Sequence, residues 1–303
     1  MSNEFKIKNN LIGNEKLHLL SILESHGCKN IYLHHSIFSN SEKFTFILPE
    51  NYENSTPCFI SAYNKNNGEL HFFSLNDEGV SRFNYFLYST NNLLDIGKGI
   101  QYLGTDIVSY KKLSHYNTNI VSKLIEMNEY YVYTISKDKF IEEKEELNKY
   151  LFNEKGINFC FATNKRDIIR LLNLQKGYLY EEMQYPNIIL SEKFIFMNLQ
   201  KILKNYKLFF LNFNNTPVAK CEWNAFSNKI FQIGGVYVDP KFRNHGLAFT
   251  LLYKMMDYSF SEIDMKEASL FVRMSNIAAQ KLYEKLYFEK YKDNLVWAIF
   301  KLN

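Results

Sequence analysis

Cysteine is scarce and scattered. Cys28, Cys58, Cys160 and Cys221 are the only four, none in a Cys-x-x-Cys spacing, and the histidines are not grouped for a metal. A disulfide scaffold and a structural zinc site are therefore not expected. The thiols read as small buried residues of a reducing, cytoplasmic compartment. Long apolar runs are missing as well. No stretch approaches membrane-spanning length, and Met1 to Lys6 has no signal-peptide apolar core, so neither membrane insertion nor export is expected. Charge of one sign is also wanting: 36 Lys and Arg against 32 Asp and Glu leave a formal +4. That is too small and diffuse for a nucleic-acid partner, but it suits a polyanionic small molecule. What the chain has in quantity is aromatic, with 22 Tyr and 26 Phe among 303 residues. A large core and two domains of ordinary size follow.

The first half reads as mixed α and β. Ile12 to Leu23 has helical spacing, and Phe44 to Leu48 ahead of Pro49 reads as a strand. Cys58–Tyr63 and Glu69–Leu75 read as hairpin arms around Asn66-Asn67-Gly68, and Tyr130–Ile135 as a further strand. Leu93 to Asp106 carries Gly97, Gly99 and Gly104. His34, His35, His71 and His115 lack helical ligand spacing and a carboxylate partner, so they read as hydrogen-bonding histidines. Residues 137–150, dense in Lys and Glu, read as a solvated helix or linker. The domain boundary is expected near Phe152–Gly156, giving domains 1–152 and 153–303.

In the second half, Ile157–Ala162 reads as a strand, and Asn164 as the cap of a helix with Asp167 in its first turn. Lys193–Tyr206 reads as an amphipathic helix. Lys207–Asn212 and Val218–Ala225 form a hairpin about Asn214-Asn215-Thr216-Pro217. On its second arm, Val218, Lys220 and Glu222 share one face, and Ala219, Cys221, Trp223 and Ala225 the other.

The most informative stretch is 229–252. It opens as a strand, Ile230–Val238, stopped by Asp239-Pro240. It closes as a helix with an apolar stripe through Leu247, Leu251 and Met255. Phe231 and Ile233 share one parity and Val236 and Val238 the other, which predicts a β-bulge at Gly234-Gly235. A bulged strand splayed from its neighbour can pair with an extended, amide-bearing ligand. Between strand and helix, Arg243-Asn244-His245-Gly246-Leu247-Ala248 turns free backbone N–H groups toward the positive end of the helix dipole. That is an anion site.

Arg243, Gly246 and Ala248 fill the three fixed positions of Arg/Gln-x-x-Gly-x-Gly/Ala, and this corner resembles the acyl-CoA signature of the GNAT superfamily of N-acyltransferases. Asn276, Ala279, Leu282-Tyr283-Glu284-Lys285-Leu286 and Phe288 are similar to a second GNAT segment. Tyr287 departs from it, standing where the family usually has Gly. The likeness covers about residues 157–303 and implies an α/β fold with a mixed sheet, with acetyl-CoA as co-substrate and no metal. The partner it implies is a small-molecule or peptide amine acceptor.

In GNAT terms the pantetheine arm would lie along Val236, Tyr237 and Val238. The pyrophosphate would sit on Arg243, Asn244, His245, Gly246, Leu247 and Ala248, with Asn276 a further hydrogen-bond partner. Tyr283 is the candidate general acid. Glu222 and the pair Glu181-Glu182 are candidate bases, although Lys220 on the face of Glu222 opposes a base role by holding a carboxylate in its charged, weakly basic form.

Glu181-Glu182-Met183, Val218–Trp223 and Ile233–Val236 resemble a two-domain acetyltransferase group, which implies a degenerate GNAT-like domain at 1–152 and a catalytic one at 153–303. Gln101-Tyr102-Leu103-Gly104-Thr105-Asp106 half-matches the motif, but the Asp106 carboxylate would repel a pyrophosphate, and the segment reads as a turn. Three functions stay open: acetyl transfer to an amine by direct attack, acyl-CoA sensing or scaffolding without turnover, and aminoacyl-tRNA-dependent transfer. The modest charge argues against the last.

Overall fold

Alternation along two fully buried strands decides the layering of the first half. In β2 (Phe44–Pro49) and β3 (Phe59–Asn64) every side chain except Asn64 is buried, so both faces need cover. Phe46, Leu48, Ile60 and Ala62 pack with Leu19, Leu23, Leu33 and Ile37 of helices α1 (Gly13–Ser25) and α2 (Ile31–Ser39). The alternate residues Ile47, Phe59 and Tyr63 pack with Val80, Phe83 and Phe86 of α3 (Asp77–Ser89) and Leu113 of α4 (Ile107–Tyr116). Each such aromatic or aliphatic side chain stabilises the layers by about 1.5–3 kcal/mol.

The computed structural model describes residues 5–27, 30–39, 43–53, 55–89, 100–116, 122–182 and 190–300. Cys28, the stretch from Leu93 through Gly97 and Gly99, and Met183 lie outside them. The chain divides into unit 1 (Met1–Val132, Val272–Asn276, Lys290–Asn303) and unit 2 (Tyr133–Phe271, Ile277–Glu289).

In unit 1 the strand order is β1-β2-β3-β4-β5-β13-β6, with β1 (Phe5–Lys8), β4 (Glu69–Ser74), β5 (Tyr102–Asp106), β6 (Leu124–Ser136, in this unit to Val132) and β13 (Leu295–Phe300). The β4–β5 pair is parallel and the others are antiparallel. The last strand of the chain thus completes the sheet of the first unit. Gln101–Asp106 is not the turn expected from sequence. Residues 102–106 are β5, and Asp106 opens α4 by accepting from the Ser109 N–H (2.9 Å) and hydroxyl (2.7 Å). An Asp at a helix start is a cap. His34 and His71 are buried, and burial pushes each imidazole down to about 4.

Unit 2 holds α5 (Lys137–Glu142), α6 (Lys144–Asn148), α7 (Lys165–Glu181), α8 (Glu192–Asn205), α9 (Leu247–Ser261) and α10 (Ile277–Lys285). Its strands are β7 (Ile157–Phe161), β8 (Leu208–Phe213), β9 (Thr216–Phe226), β10 (Ile230–Val238) and β11 (Glu267–Arg273, in this unit to Phe271), with β12 (Glu289–Lys290) after α10. The order is β11-β10-β9-β8-β7. Only β10–β11 is parallel among these.

Residues 137–150 are no free linker, because α5 and α6 bury Phe140 and Leu147. The Asn164 side chain caps α7 by accepting from the Arg166 and Asp167 N–H groups. Asn214 and Asn215, at φ 48° and 67°, make the tight β8–β9 turn; two positive φ values in a two-residue hairpin loop match strand twist. Leu208, Phe210 and Tyr237 face α7 and α8. On the other face Trp223 stacks on Phe231, and Phe231 meets Phe260 of α9. α10 ends with the left-handed conformation kept at the non-Gly position: Tyr287 takes φ 61°, with the Phe288 N–H on the Tyr283 carbonyl and the Tyr287 N–H on that of Glu284, both at 3.0 Å. Those two bonds close a Schellman motif around a non-Gly residue.

Candidate active site

The bulge is where the sequence places it. Gly234 pairs with Glu222 and Tyr237 with Lys220, so Gly235 and Val236 together face Cys221 across the ladder. A second shift, between Gln232 and Ile233, puts the extra residue on β9 at Asn224. Gly235 has φ 57°, and a Cβ on it would lie 2.5 Å from the Glu222 carboxylate carbon. Glycine is needed there twice over, for conformation and for space.

The extra residue has a consequence for every side chain after it. Tyr237 turns into the α7–α8 core, and Val236 and Val238 return by alternation to the face of Phe231. They are half-buried rather than core, because the pairing of β10 with β11 stops at Ile233–Leu270 while β10 runs on to Val238. Past that point the two parallel strands leave β10 backbone outside the ladder.

The corner after β10 is open. Asp239 caps a single 3₁₀ turn at Pro240–Phe242, and Arg243, Asn244, His245 and Gly246 are all exposed. Asn244 (φ 65°) and Gly246 (φ 77°) are left-handed. Gly246 is the N-cap of α9 and offers no side-chain cap. The first helical bond runs from the Thr250 N–H to the Gly246 carbonyl at 3.0 Å. The N–H groups of Leu247, Ala248 and Phe249 thus have no acceptor within the helix. The nearest atom to a Cβ on Gly246 would be the Tyr150 carbonyl oxygen, 4.0 Å away, so there is room for an anion against the backbone.

Arg243 does not point free into this corner. Its guanidinium donates to Glu181 Oε2 (2.6 Å) and to the Val238 carbonyl (3.1 Å), and lies 5.2 Å from the Tyr237 ring centre. The Tyr237 hydroxyl donates to the other Glu181 oxygen at 2.6 Å. The Tyr237 and Arg243 hydrogen bonds hold the Glu181 carboxyl below its usual range, while burial and the Glu181 bond push the Tyr237 phenol up. Glu181, a base candidate from sequence, is thereby committed to fixing the bulged strand and its corner to the end of α7. Gly177, in the middle of α7, leaves space for this: a Cβ there would lie 2.2 Å from the Tyr237 hydroxyl oxygen. A glycine inside a helical pattern was the available signal for such a close approach.

Glu222 and Lys220 are 5% and 0% exposed. The Lys220 ammonium donates to Glu222 Oε2 at 3.2 Å and to the Gly235 carbonyl at 2.9 Å, and it lies 4.7 Å from the Tyr178 ring centre. Glu222 therefore lies against the bulge as the counter-ion of a buried lysine. Tyr283 is buried, and burial, with a smaller contribution from the Glu182 carboxylate, pushes its phenol up. No hydrogen bond to its hydroxyl is found among the described residues. Glu182, exposed at the end of α7, is the nearby carboxylate that shapes it. Tyr283, Glu182, Glu222 and residues 236–248 all belong to unit 2, whereas Asn276 belongs to unit 1, its N–H on the Arg273 carbonyl at 2.9 Å.

A bulged, splayed strand feeding an uncapped helix start is the arrangement expected for acyl-CoA binding, and the family comparison agrees. The model of the Acetyltransferase (GNAT) family matches residues 167–288. The chain carries a GNAT domain. The match takes in both motifs, Tyr283 and the three carboxylates. No curated protein matches the chain.

Among solved structures, a tandem GNAT protein from the clavulanic acid biosynthesis pathway is similar over 98% of each chain, with TM-score 0.64 and 8% identity. A GCN5-related N-acetyltransferase from Sphaerobacter thermophilus covers 98% of this chain and 96% of its own, at TM-score 0.58 and 11% identity. A Drosophila protein covers 94% and 87%, at 0.57 and 14%. These likenesses show the fold, which over the whole chain is that of a tandem GNAT protein, with the GNAT domain second. A domain of the acetyltransferase (GNAT) family in turn implies an acyl-CoA co-substrate and an amine acceptor. Among the described residues no group of His, Cys, Asp and Glu is arranged for a metal ion, and no helix is long and apolar enough to cross a membrane.

Proposed function

We propose that the chain transfers an acetyl group from acetyl-CoA to a primary amine, by direct attack and without a covalent enzyme intermediate. The observation that carries this reading is the open start of α9, where three N–H groups without helical acceptors follow a left-handed Gly246 and a bulged strand. N–H groups converging at a helix start suit a diphosphate, and the β10 backbone past Ile233 suits the amide-rich pantetheine arm. The catalytic role is assigned to residues 153–303 and an accessory role to 1–152. The acceptor is a small-molecule or peptide amine.

In the reaction the amine nitrogen bonds to the thioester carbonyl carbon as the carbon–sulfur bond breaks. The backbone of the bulge donates to the carbonyl oxygen. Tyr283, held protonated by its burial, gives a proton to the departing sulfur. Glu182 takes the proton lost by the amine, directly or through water, and passes it to the tyrosinate, which restores the phenol and frees the carboxylate. Of the carboxylates, Glu182 suits this role because it is exposed and makes no ion pair among the described residues, whereas Glu181 serves Arg243 and Glu222 serves Lys220.

Calorimetry with acetyl-CoA tests the reading. Gly246→Glu puts a carboxylate against the diphosphate site and is expected to weaken binding at least tenfold; unchanged affinity refutes the assignment. Tyr283→Phe is expected to keep affinity and lose most of the turnover. Tight binding with turnover indifferent to Tyr283 would favour an acyl-CoA sensor instead.

A further inference from the structure

Lys220 has no access to solvent, yet it occupies a row of β8, β9 and β10 whose neighbours are Phe210 and Tyr237. A buried ammonium is costly unless it is paired and hydrogen-bonded, and an apolar residue of similar size is often the more stable choice. The pairing here is specific. One bond goes to Glu222, and the other, at 2.9 Å, goes to the carbonyl of Gly235. That carbonyl belongs to the Gly235–Val236 peptide, the one peptide that lies wholly within the β10 bulge and beyond the last residue paired with β11.

The carbonyl and N–H of one peptide are electronically joined by amide resonance. A cation on the oxygen draws density from the nitrogen and makes the N–H at the other end a stronger donor, as happens along any polarised hydrogen-bond chain. We infer that Lys220 is a positioning residue for acyl transfer, acting through the Gly235–Val236 peptide to strengthen the Val236 N–H as the donor to the thioester carbonyl oxygen. Glu222 is its counter-ion and limits how much of the charge reaches the peptide. The inference rests on the proposed function, since it needs acetyl-CoA in this site.

The test uses the full-length chain and acetyl-CoA labelled with carbon-13 at the thioester carbonyl. Infrared difference spectra report how strongly the protein polarises that bond, and no acceptor is needed. In the wild type the bound carbonyl band is expected below that of free acetyl-CoA. Lys220→Gln keeps a hydrogen-bond donor but removes the charge, so the band should move back toward the free position while affinity by calorimetry stays within about threefold. Glu222→Gln leaves the ammonium uncompensated and should move the band lower still, an opposite shift that a merely structural role would not give. With an acceptor in hand, turnover of Lys220→Gln should fall by about threefold, from weakening one oxyanion donor by a fraction of its strength, with KM for acetyl-CoA unchanged.

A Lys220→Gln band at the wild-type position overturns the inference. Should that variant not fold, Glu222→Gln decides alone, and the absence of a downward shift overturns it equally. Failure of the wild type to bind acetyl-CoA is a separate outcome, which removes the proposed function and this inference with it.

Discussion

Two alanine substitutions separate what the bulge needs from what the helix corner needs. Gly235 and Gly246 both have left-handed backbone, at φ 57° and 77°. Placing a Cβ in that region costs about 1–2 kcal/mol at either site. The loss of unfolded-state freedom, about 0.4–1 kcal/mol in favour of alanine, is also shared. Their surroundings differ. At Gly246 the new carbon meets nothing nearer than 4.0 Å, but at Gly235 it lies 2.5 Å from the Glu222 carboxylate carbon and 2.8 Å from both oxygens. Glu222 is buried and tied to Lys220, so it has no easy retreat, and overpacking of this kind costs about 1–3 kcal/mol.

Gly235→Ala should therefore be less stable than Gly246→Ala by about 1–3 kcal/mol. Urea unfolding followed by Trp223 fluorescence measures this in unit 2. A Trp297→Phe background removes the other tryptophan, which lies in unit 1. Equal losses in the two variants would mean that Glu222 does not sit against the bulge, and the account of Lys220 would go with it.

Other outcomes follow from the same geometry. Gly177→Ala should destabilise unit 2, although alanine in a helix interior normally gains about 1 kcal/mol, because its Cβ would lie 2.2 Å from the Tyr237 hydroxyl; a more stable variant in urea would refute the contact. Unit 1 should weaken steadily as pH falls. His34 and His71 have folded values lowered to about 4, so their contribution is complete above the unfolded value and is lost from about pH 6.5 downward. Burial raises Glu15, but bonds from Lys8 and Tyr52 outweigh it and bring its carboxyl down to about 2, so its contribution is complete above about pH 4.5 and disappears toward pH 2. Thermal melts of Glu15→Gln between pH 7 and pH 3 check this, since the difference from wild type should shrink with acid. Tyr287→Gly should relieve about 1 kcal/mol of left-handed strain, less what is lost with Lys139, which lies 5.8 Å from the Tyr287 ring centre; Tyr287→Ala keeps the strain without the ring and should be the least stable of the three in urea.

How much of this was legible depended on the range of the interaction. The β10 bulge was readable because a parity switch across Gly234-Gly235 is a local signal, and the open corner because Arg-x-x-Gly-x-Ala follows a strand. The Asn164 cap and the hairpins at 66–68 and 214–215 were readable for the same reason. Asp106 was misread because the segment was compared with a phosphate motif, when its spacing to Ser109 is that of a helix cap. The pairing of β13 with β5 and β6 was not readable at all. A strand pattern gives parity but never the identity of the neighbour, and here the neighbours lie more than 150 residues back in the sequence.

The site residues show the same division at closer range. Arg243 and Glu181 were each singled out, one for the anion and one as a base, yet their shared 2.6 Å ion pair changes both readings. The bulge is what makes that pair possible. Without the extra residue, Tyr237 would face α9 and its hydroxyl could not reach Glu181; with it, Tyr237, Glu181 and Arg243 lock the end of β10 to α7 while the backbone beyond stays open. One residue inserted into one strand thus aims a tyrosine, spends an arginine on structure, and leaves the main-chain N–H groups at the start of α9 open.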